Sequence, residues 1–182
     1  MDTKLLKEQL SNEIFPEPKH EGKTKLASVL VIIYGIEPKV LMIEKSKKLN
    51  IHAGEIAFPG GKWMEDDNDL LDTALRETRE EIGLNILREN VIGQFENVIT
   101  LNSGYTISSF LSILDNIQQL KTNSEVKSVL HMPLIPLLQT LSDDQDPNHK
   151  SIQEMYTFTY KDKVVWGASA RILKHLVNRL SI

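Results

Sequence analysis

Leu70-Leu71-Asp72-Thr73-Ala74-Leu75-Arg76-Glu77-Thr78-Arg79-Glu80-Glu81-Ile82-Gly83 is the stretch on which the reading of this chain turns. Successive helical residues advance by about 100°, so Leu71, Ala74, Leu75, Thr78 and Ile82 fall on one side, with Glu77, Glu80 and Glu81 together on another. The spacing predicts a helix over 70–82 closed by Gly83 as its C-cap. One side packs and the other collects charge. Three carboxylates at i, i+3 and i+4 repel one another by roughly a few tenths of a kcal/mol per pair. They also stand in the last turn, where the macrodipole disfavours anions. A divalent cation removes both objections, because hard oxygen ligands suit Mg²⁺ or Mn²⁺ and these ions bridge to phosphate. The plain alternative is a solvated acidic face.

Working outward, Phe58-Pro59-Gly60-Gly61 precedes the helix by an acidic loop over 65–69. Two successive glycines permit a backbone path that brings a carbonyl oxygen near the helix carboxylates, although such a turn taken alone is more often just a turn. Upstream, β-branched segments at 27–34 and 40–44 flank Gly35, Glu37 and Pro38 as a strand-turn-strand unit, and 55–58 predicts a third extended piece. Downstream, 94–100 and 105–114 predict paired strands about Asn102-Ser103-Gly104, 124–131 a short helix, and 155–160 with 163–166 a hairpin. Residues 168–180 repeat apolar positions at helical spacing and predict a closing helix. Strands, a central helix, more strands and a last helix imply an α/β fold, a mixed sheet with helices on both faces. Residues 1–25 are expected to form an amphipathic helix and a polar lead-in, and 26–182 the single domain.

At 182 residues, 41% hydrophobic and 25% charged, the chain has the balance of one globular domain. A net charge of −4 argues against a broad basic face, so nucleic acid is not expected as a partner. Cysteine is absent, which excludes disulfides, a thiolate nucleophile and Cys-ligated zinc. The apolar run at 27–34 is far short of the roughly 20 residues that span a bilayer, and no secretory signal is evident, so a cytoplasmic location is expected. No Ser-His-Asp pattern is present. His131, His149 and His175 carry no metal-ligand spacing, and Trp166 is expected to seal a core.

Gly61 followed by Arg76-Glu77-Thr78-Arg79-Glu80-Glu81-Ile82-Gly83-Leu84 resembles the Nudix box, which runs Gly, five residues, an acid, seven residues, then Arg-Glu-aliphatic-any-Glu-Glu-any-Gly-aliphatic. Asp67 stands where the family usually has Glu, eight residues rather than seven separate it from Arg76, and Thr78 replaces an aliphatic residue. Leu41-Met42-Ile43-Glu44-Lys45-Ser46, His52-Ala53-Gly54-Glu55 and Phe58-Pro59-Gly60-Gly61 look like the signature of the coenzyme A pyrophosphatase branch. Further matches lie at 100–110, at Ser124-Glu125-Val126 leading to Pro133-Leu134, and at Trp166-Gly167-Ala168-Ser169-Ala170. The branch carries Arg where this chain has Lys45 and Asn50, and Pro where it has Ser109.

The resemblance implies a Nudix-type α/β/α sandwich with a mixed β-sheet. It implies Mg²⁺ or Mn²⁺ held by Glu77, Glu80, Glu81 and the Gly60 carbonyl, with water attacking one phosphorus of a diphosphate in line. Glu77, Glu80, Glu125 and Arg76 become the catalytic candidates, the proton going to Glu77 or to Glu125. Lys45, His52, Gly60 and Gly61 are the substrate-binding candidates. Arg76 is expected to pair with Asp67 or Asp69, or to be a plain surface residue. The implied partner is a small nucleotide-derived substrate, with neither nucleic acid nor membrane and a homodimer left open. Coenzyme A or its thioesters lead as substrates, giving 4′-phosphopantetheine and adenosine 3′,5′-bisphosphate. The rivals are ADP-ribose or another nucleoside diphosphate derivative, favoured by Asn50, and a non-catalytic nucleotide-sensing module, disfavoured by the intact glutamates.

Overall fold

The computed structural model describes residues 2–17, 25–49, 52–100, 103–145 and 155–182. Strand β1 (Lys25–Tyr34) sends Leu26, Leu30 and Ile32 to one face of the sheet and Val31 and Ile33 to the other, and all five are buried. Its nearly continuous apolar run is what a strand covered on both sides requires. Strand β2 (Lys39–Lys45) pairs with β1 only from Ile32↔Leu41 to Tyr34↔Lys39, after which the two part. The fork is filled by β3 (Ile56–Ala57), which pairs with β2, and β4 (Gly60–Lys62), which pairs with β1. The turn expected to carry the site is therefore wedged into the middle of the sheet. Strand β6 (Tyr105–Leu114) runs parallel to the whole of β1, β5 (Val91–Ile99) antiparallel to β6, and β7 (Val126–Pro133) antiparallel to β2. Among the described residues these seven strands make one mixed sheet.

Helix α2 (Leu70–Ile82) covers one face, packing Leu70, Leu71, Ala74 and Ile82 on Leu26, Leu30, Ile32 and Phe110. The other face is covered by α1 (Thr3–Leu10), α3 (Leu134–Leu138) and α4 (Gly167–Leu180). Beside them lies a small second sheet of β8 (Ser142–Asp143), β9 (Tyr156–Tyr160) and β10 (Lys163–Val165). The result is the mixed sheet with helices on both faces expected from the order of elements, and the α/β/α sandwich that the resemblance implies. Leu6 and Leu10 of α1 are fully buried in the same core as α4, so the described part of the N-terminal segment belongs to the domain. An eight-residue helix is marginal in isolation and owes its stability to that packing.

The expected short helix at 124–131 is instead β7. Its residues pair with β2 from Lys39↔Pro133 to Lys45↔Val126, a partnership 81 to 94 positions away in sequence that local spacing does not reveal. The 155–166 hairpin, the β5–β6 pair and the closing helix form as expected, while Asn102 of the β5–β6 turn, and likewise Asn50 and His149, lie outside the described residues. Trp166 is only half-buried at the start of α4 rather than sealed in the core. Ser109 is fully buried in β6, between Val29 and Phe95.

Candidate active site

Asp69 caps α2 by accepting from the Asp72 N–H at 2.9 Å, and Gly83 ends it in the left-handed conformation at φ 70°. Burial of Leu70, Leu71 and Ile82, worth about 1.5–3 kcal/mol each, fixes the rotation of the helix about its axis. That rotation points Glu81 into the fork between β1 and β2, where the Gly60 N–H donates to its Oε2 at 2.9 Å. Gly60 has φ +155°, and a Cβ there would stand 2.2 Å from the Ser28 carbonyl oxygen. A Cβ on Gly61 would stand 2.4 Å from the Glu77 carboxylate. Gly60 is thus required by its close approach to the backbone of β1, while a side chain at Gly61 would force the Glu77 carboxylate to move.

The glutamates do not share one solvent-facing surface, which corrects the two-sided division of the helix. Glu81 is 3% exposed, Glu77 is half-buried, and the Glu80 side chain is 51% exposed. Each is met by a cation of the chain. Lys45 Nζ stands 3.7 Å from Glu81 Oε1, and the Arg76 guanidinium lies 2.9 Å from Glu77 Oε1 and 3.3 Å from Glu80 Oε2. Arg76 also forks onto Asp67 through Nε at 2.7 Å and a terminal nitrogen at 2.9 Å, and donates to the Lys62 carbonyl at 3.2 Å. Of the two acids open to Arg76, Asp67 is its partner. Asp69 is taken by Arg88, which also pairs with Asp72. The extra loop residue is absorbed without loss, since the Met64 N–H and the Thr73 hydroxyl donate to Asp67 as well.

These contacts divide the carboxyls electrostatically. The hydrogen bonds from Arg76, chief among its partners, hold Asp67 below the usual carboxylate range. Burial pushes Glu77 up against the pull of Arg76. Burial also pushes Glu81 up to about 7, opposed by Lys45 and the Gly60 N–H and reinforced by the charges of Glu77 and Glu125. Burial, more than like charge, is what disfavours the ionised form of Glu81.

Glu125 is brought to this site: its carbonyl accepts from the Ser46 N–H at 2.7 Å, beside Lys45, and its charge reaches Glu81. His52 is not brought to the glutamates; it sits exposed with Nδ1 2.8 Å from Glu55 Oε2. Among the described residues no three acidic or imidazole groups converge closely enough to hold an ion as they stand, and the carboxylates are instead paired with Arg76 and Lys45. The donors are nonetheless all oxygen, and a buried carboxylate flanked by two more is a set that fits a hard divalent cation. A separate cleft of about 780 Å³ between the N-terminal segment and β5 holds none of the expected residues, and Glu13, Glu17 and Glu96 on its wall oppose an anionic ligand.

Two networks were not foreseen from sequence. One is the Arg88 pairing with Asp69 and Asp72; the other joins buried Glu44 to Lys127, Ser128 and Lys163 on the sheet face away from α2. Strand alternation places Glu44 and Lys45 on opposite faces, but the partners of Glu44 come from distant segments.

A NUDIX domain model matches residues 24–155. Two proteins called Uncharacterized Nudix hydrolase NudL, from Yersinia pestis (strain Pestoides F) and Yersinia pseudotuberculosis serotype O:1b (strain IP 31758), are 32% identical to this chain over 160 residues, covering 86% of it and 80% of theirs. A MutT/nudix family protein from Enterococcus faecalis superposes with a TM-score of 0.63 at 20% identity, over 93% of this chain and 65% of that one, so the chain spans somewhat under two thirds of its length. The NUDIX domain of Shewanella oneidensis NrtR, in complex with ADP ribose, superposes with a TM-score of 0.61 at 18% identity, over 90% and 93% of the two chains.

Proposed function

The chain belongs to the Nudix family, and we propose that this Nudix hydrolase cuts the diphosphate of coenzyme A or its thioesters, giving 4′-phosphopantetheine and adenosine 3′,5′-bisphosphate. The observation that carries the reaction class is Glu81, buried at 3% exposure beside Glu77 and against Gly60, with its pKa raised to about 7. A stability-driven sequence would not keep such a group. The substrate rests on the resemblance of Leu41-Met42-Ile43-Glu44-Lys45-Ser46, His52-Ala53-Gly54-Glu55 and Phe58-Pro59-Gly60-Gly61 to the coenzyme A branch.

Glu77, Glu80, Glu81 and the Gly60 carbonyl would hold Mg²⁺ or Mn²⁺, which when bound neutralises diphosphate oxygens and acidifies water. Arg76 keeps the loop acid Asp67 and the helix glutamates in one cluster, and so sets the position of Glu77 and Glu80. Gly60 and Gly61 let the backbone of β1 and the Glu77 carboxylate, respectively, pack directly against β4, which keeps this turn beside the helix glutamates. Lys45, already beside Glu81, supplies a positive charge to the substrate phosphates. A proton from the attacking water passes to a carboxylate oxygen of Glu77, which burial makes more basic than an ordinary glutamate, or of Glu125 on the neighbouring segment.

Incubation with Mg²⁺ and, separately, coenzyme A, ADP-ribose, NADH and nucleoside triphosphates, followed by separation of products, tests this reading. Cleavage of coenzyme A to the two named products is expected. Coenzyme A left intact while ADP-ribose is cut would overturn the substrate; no turnover of any compound, with tight binding of one, would make the chain a sensor.

A further inference from the structure

We propose that Asn123 is a positioning residue for the hydrolysis: by bridging the Glu81 carbonyl at the end of α2 to the Glu125 N–H, it holds the Glu125 carboxylate at the site. The inference rests on the Nudix reading above, in which Glu125 is one of two carboxylates able to take the proton of the attacking water.

The bridge begins at the C-terminus of α2, where the last carbonyls of a helix have no partner within it. Two of them are met by the loop that leads to β7. The Lys121 N–H donates to the Ile82 carbonyl at 2.9 Å, and the Asn123 N–H to the Glu81 carbonyl at 3.0 Å. Gly83 makes room for this approach, since a Cβ there would stand 3.1 Å from the Lys121 carbonyl oxygen and 3.2 Å from the Lys121 Cβ. The Asn123 side chain then turns forward. Its Oδ1 accepts from the Glu125 N–H at 2.9 Å, the bond that asparagine makes to the backbone two residues on. On its other side Glu125 is tied through its carbonyl, which accepts from the Ser46 N–H at 2.7 Å, one residue beyond Lys45. Asn123 thus touches both the helix residue that would ligate metal and the loop residue that would take the proton.

Ile117 and Leu120 pack on the core beneath α2, and Val126 is buried, but the five residues from Lys121 to Glu125 are all exposed. Between those anchors the path of the chain is set by hydrogen bonds rather than by packing. Electrostatics opposes the result. Glu125 is held two residues from the contact with the negative end of the α2 dipole, and its charge disfavours ionisation of Glu81. An untethered loop would swing this carboxylate into solvent, so the bridge maintains a placement that stability does not favour.

Steady-state kinetics on coenzyme A with Mg²⁺, together with amide exchange of the metal-free protein, tests the bridge; ADP-ribose replaces coenzyme A if it is the compound cut. Asn123→Ala keeps the N–H to Glu81 and removes the acceptor for Glu125. It should lower kcat by about tenfold while KM stays within about twofold. Asn123→Asp retains an oxygen at the same place and should recover most of the loss. Glu125→Gln should lower kcat by about 100-fold, and the double variant should be no slower, because the tether then has nothing to position. Asn123→Ala should also lose the exchange protection of the Glu125 amide, while the amides of Lys121 and Asn123 keep theirs. Both substituted positions are exposed, so the variants fold. Additive losses in the double variant, an alanine variant with unchanged kcat or unchanged Glu125 protection, or a Glu125→Gln variant as fast as wild type would each overturn the bridge. Wild type that cuts none of the compounds would instead remove the hydrolase reading, and the catalytic role of Asn123 with it.

Discussion

Gly61 and the Glu77 carboxylate pack so closely that a methyl group on Gly61 would stand 2.4 Å from both Cδ and Oε1 of Glu77. Backbone and acid therefore form a single surface, and the position of Glu77 depends on the absence of a side chain opposite. Gly61→Ala is expected to displace Glu77 by the better part of an ångström and to lower kcat by about 100-fold, with a small change in melting temperature. Steady-state kinetics and a thermal melt on one preparation check both halves; an active alanine variant would mean that Glu77 is not where catalysis needs it.

Arg76 ties Asp67 of the loop to Glu77 and Glu80 of the helix, and the Asp67 side chain is only 5% exposed. Arg76→Met leaves that carboxylate buried and unpaired and should destabilise the fold by about 3 kcal/mol in urea titration. Arg76→Lys restores charge but not the two-pronged contact, and should recover less than half of the loss. A neutral result for the Met variant would reduce Arg76 to a surface residue.

Glu81 should leave a signature in the pH dependence of metal-free stability. Its folded pKa is raised from 4.5 to about 7, so its contribution to stability is complete below pH 4.5 and is lost as pH rises to about 7. His131 acts in the opposite sense: burial, with Lys39 nearby, lowers its pKa from 6.5, so its contribution is lost as pH falls below that value. The Glu81 effect is therefore read as the difference between wild type and Glu81→Gln, which should grow from pH 4.5 to 7 without metal and shift in favour of wild type when Mg²⁺ is added. A pH-independent difference would contradict the assigned burial.

Lys45 Nζ stands 3.7 Å from Glu81 Oε1. Lys45→Met removes a competitor for that carboxylate, so it should lower metal-free stability and raise Mg²⁺ affinity by about tenfold, or about 1.4 kcal/mol, while weakening substrate turnover. Unchanged metal affinity in calorimetry would show that Lys45 serves the substrate alone.

Much of this arrangement is legible in the sequence because it is local. The limits of α2 follow from apolar spacing together with the acidic loop over 65–69 at one end and Gly83 at the other, the structure adding Asp69 as the N-cap, and β1 announces itself by an apolar run too continuous for a surface strand. What escapes is set by distance along the chain. β7 exists because β2 needs a partner on its outer edge, which the polar residues of 124–131 do not reveal. The choice of Asp67 over Asp69 for Arg76 depends on Arg88 having claimed Asp69, a competition among three segments. Helical spacing groups Glu81 with its neighbours, but only the fork between β1 and β2 makes it the buried member of the set.

Anomalous diffraction from a crystal soaked in Mn²⁺ tests most directly whether these glutamates gather a divalent cation. The expected map shows a peak within about 2.0–2.3 Å of oxygens from Glu77, Glu80 or Glu81 and of the Gly60 carbonyl, with Arg76 and Lys45 drawn back from the carboxylates they now touch. No peak there at saturating Mn²⁺, with Lys45 still on Glu81 and Arg76 still on Glu77, would contradict the metal site and the chemistry built on it.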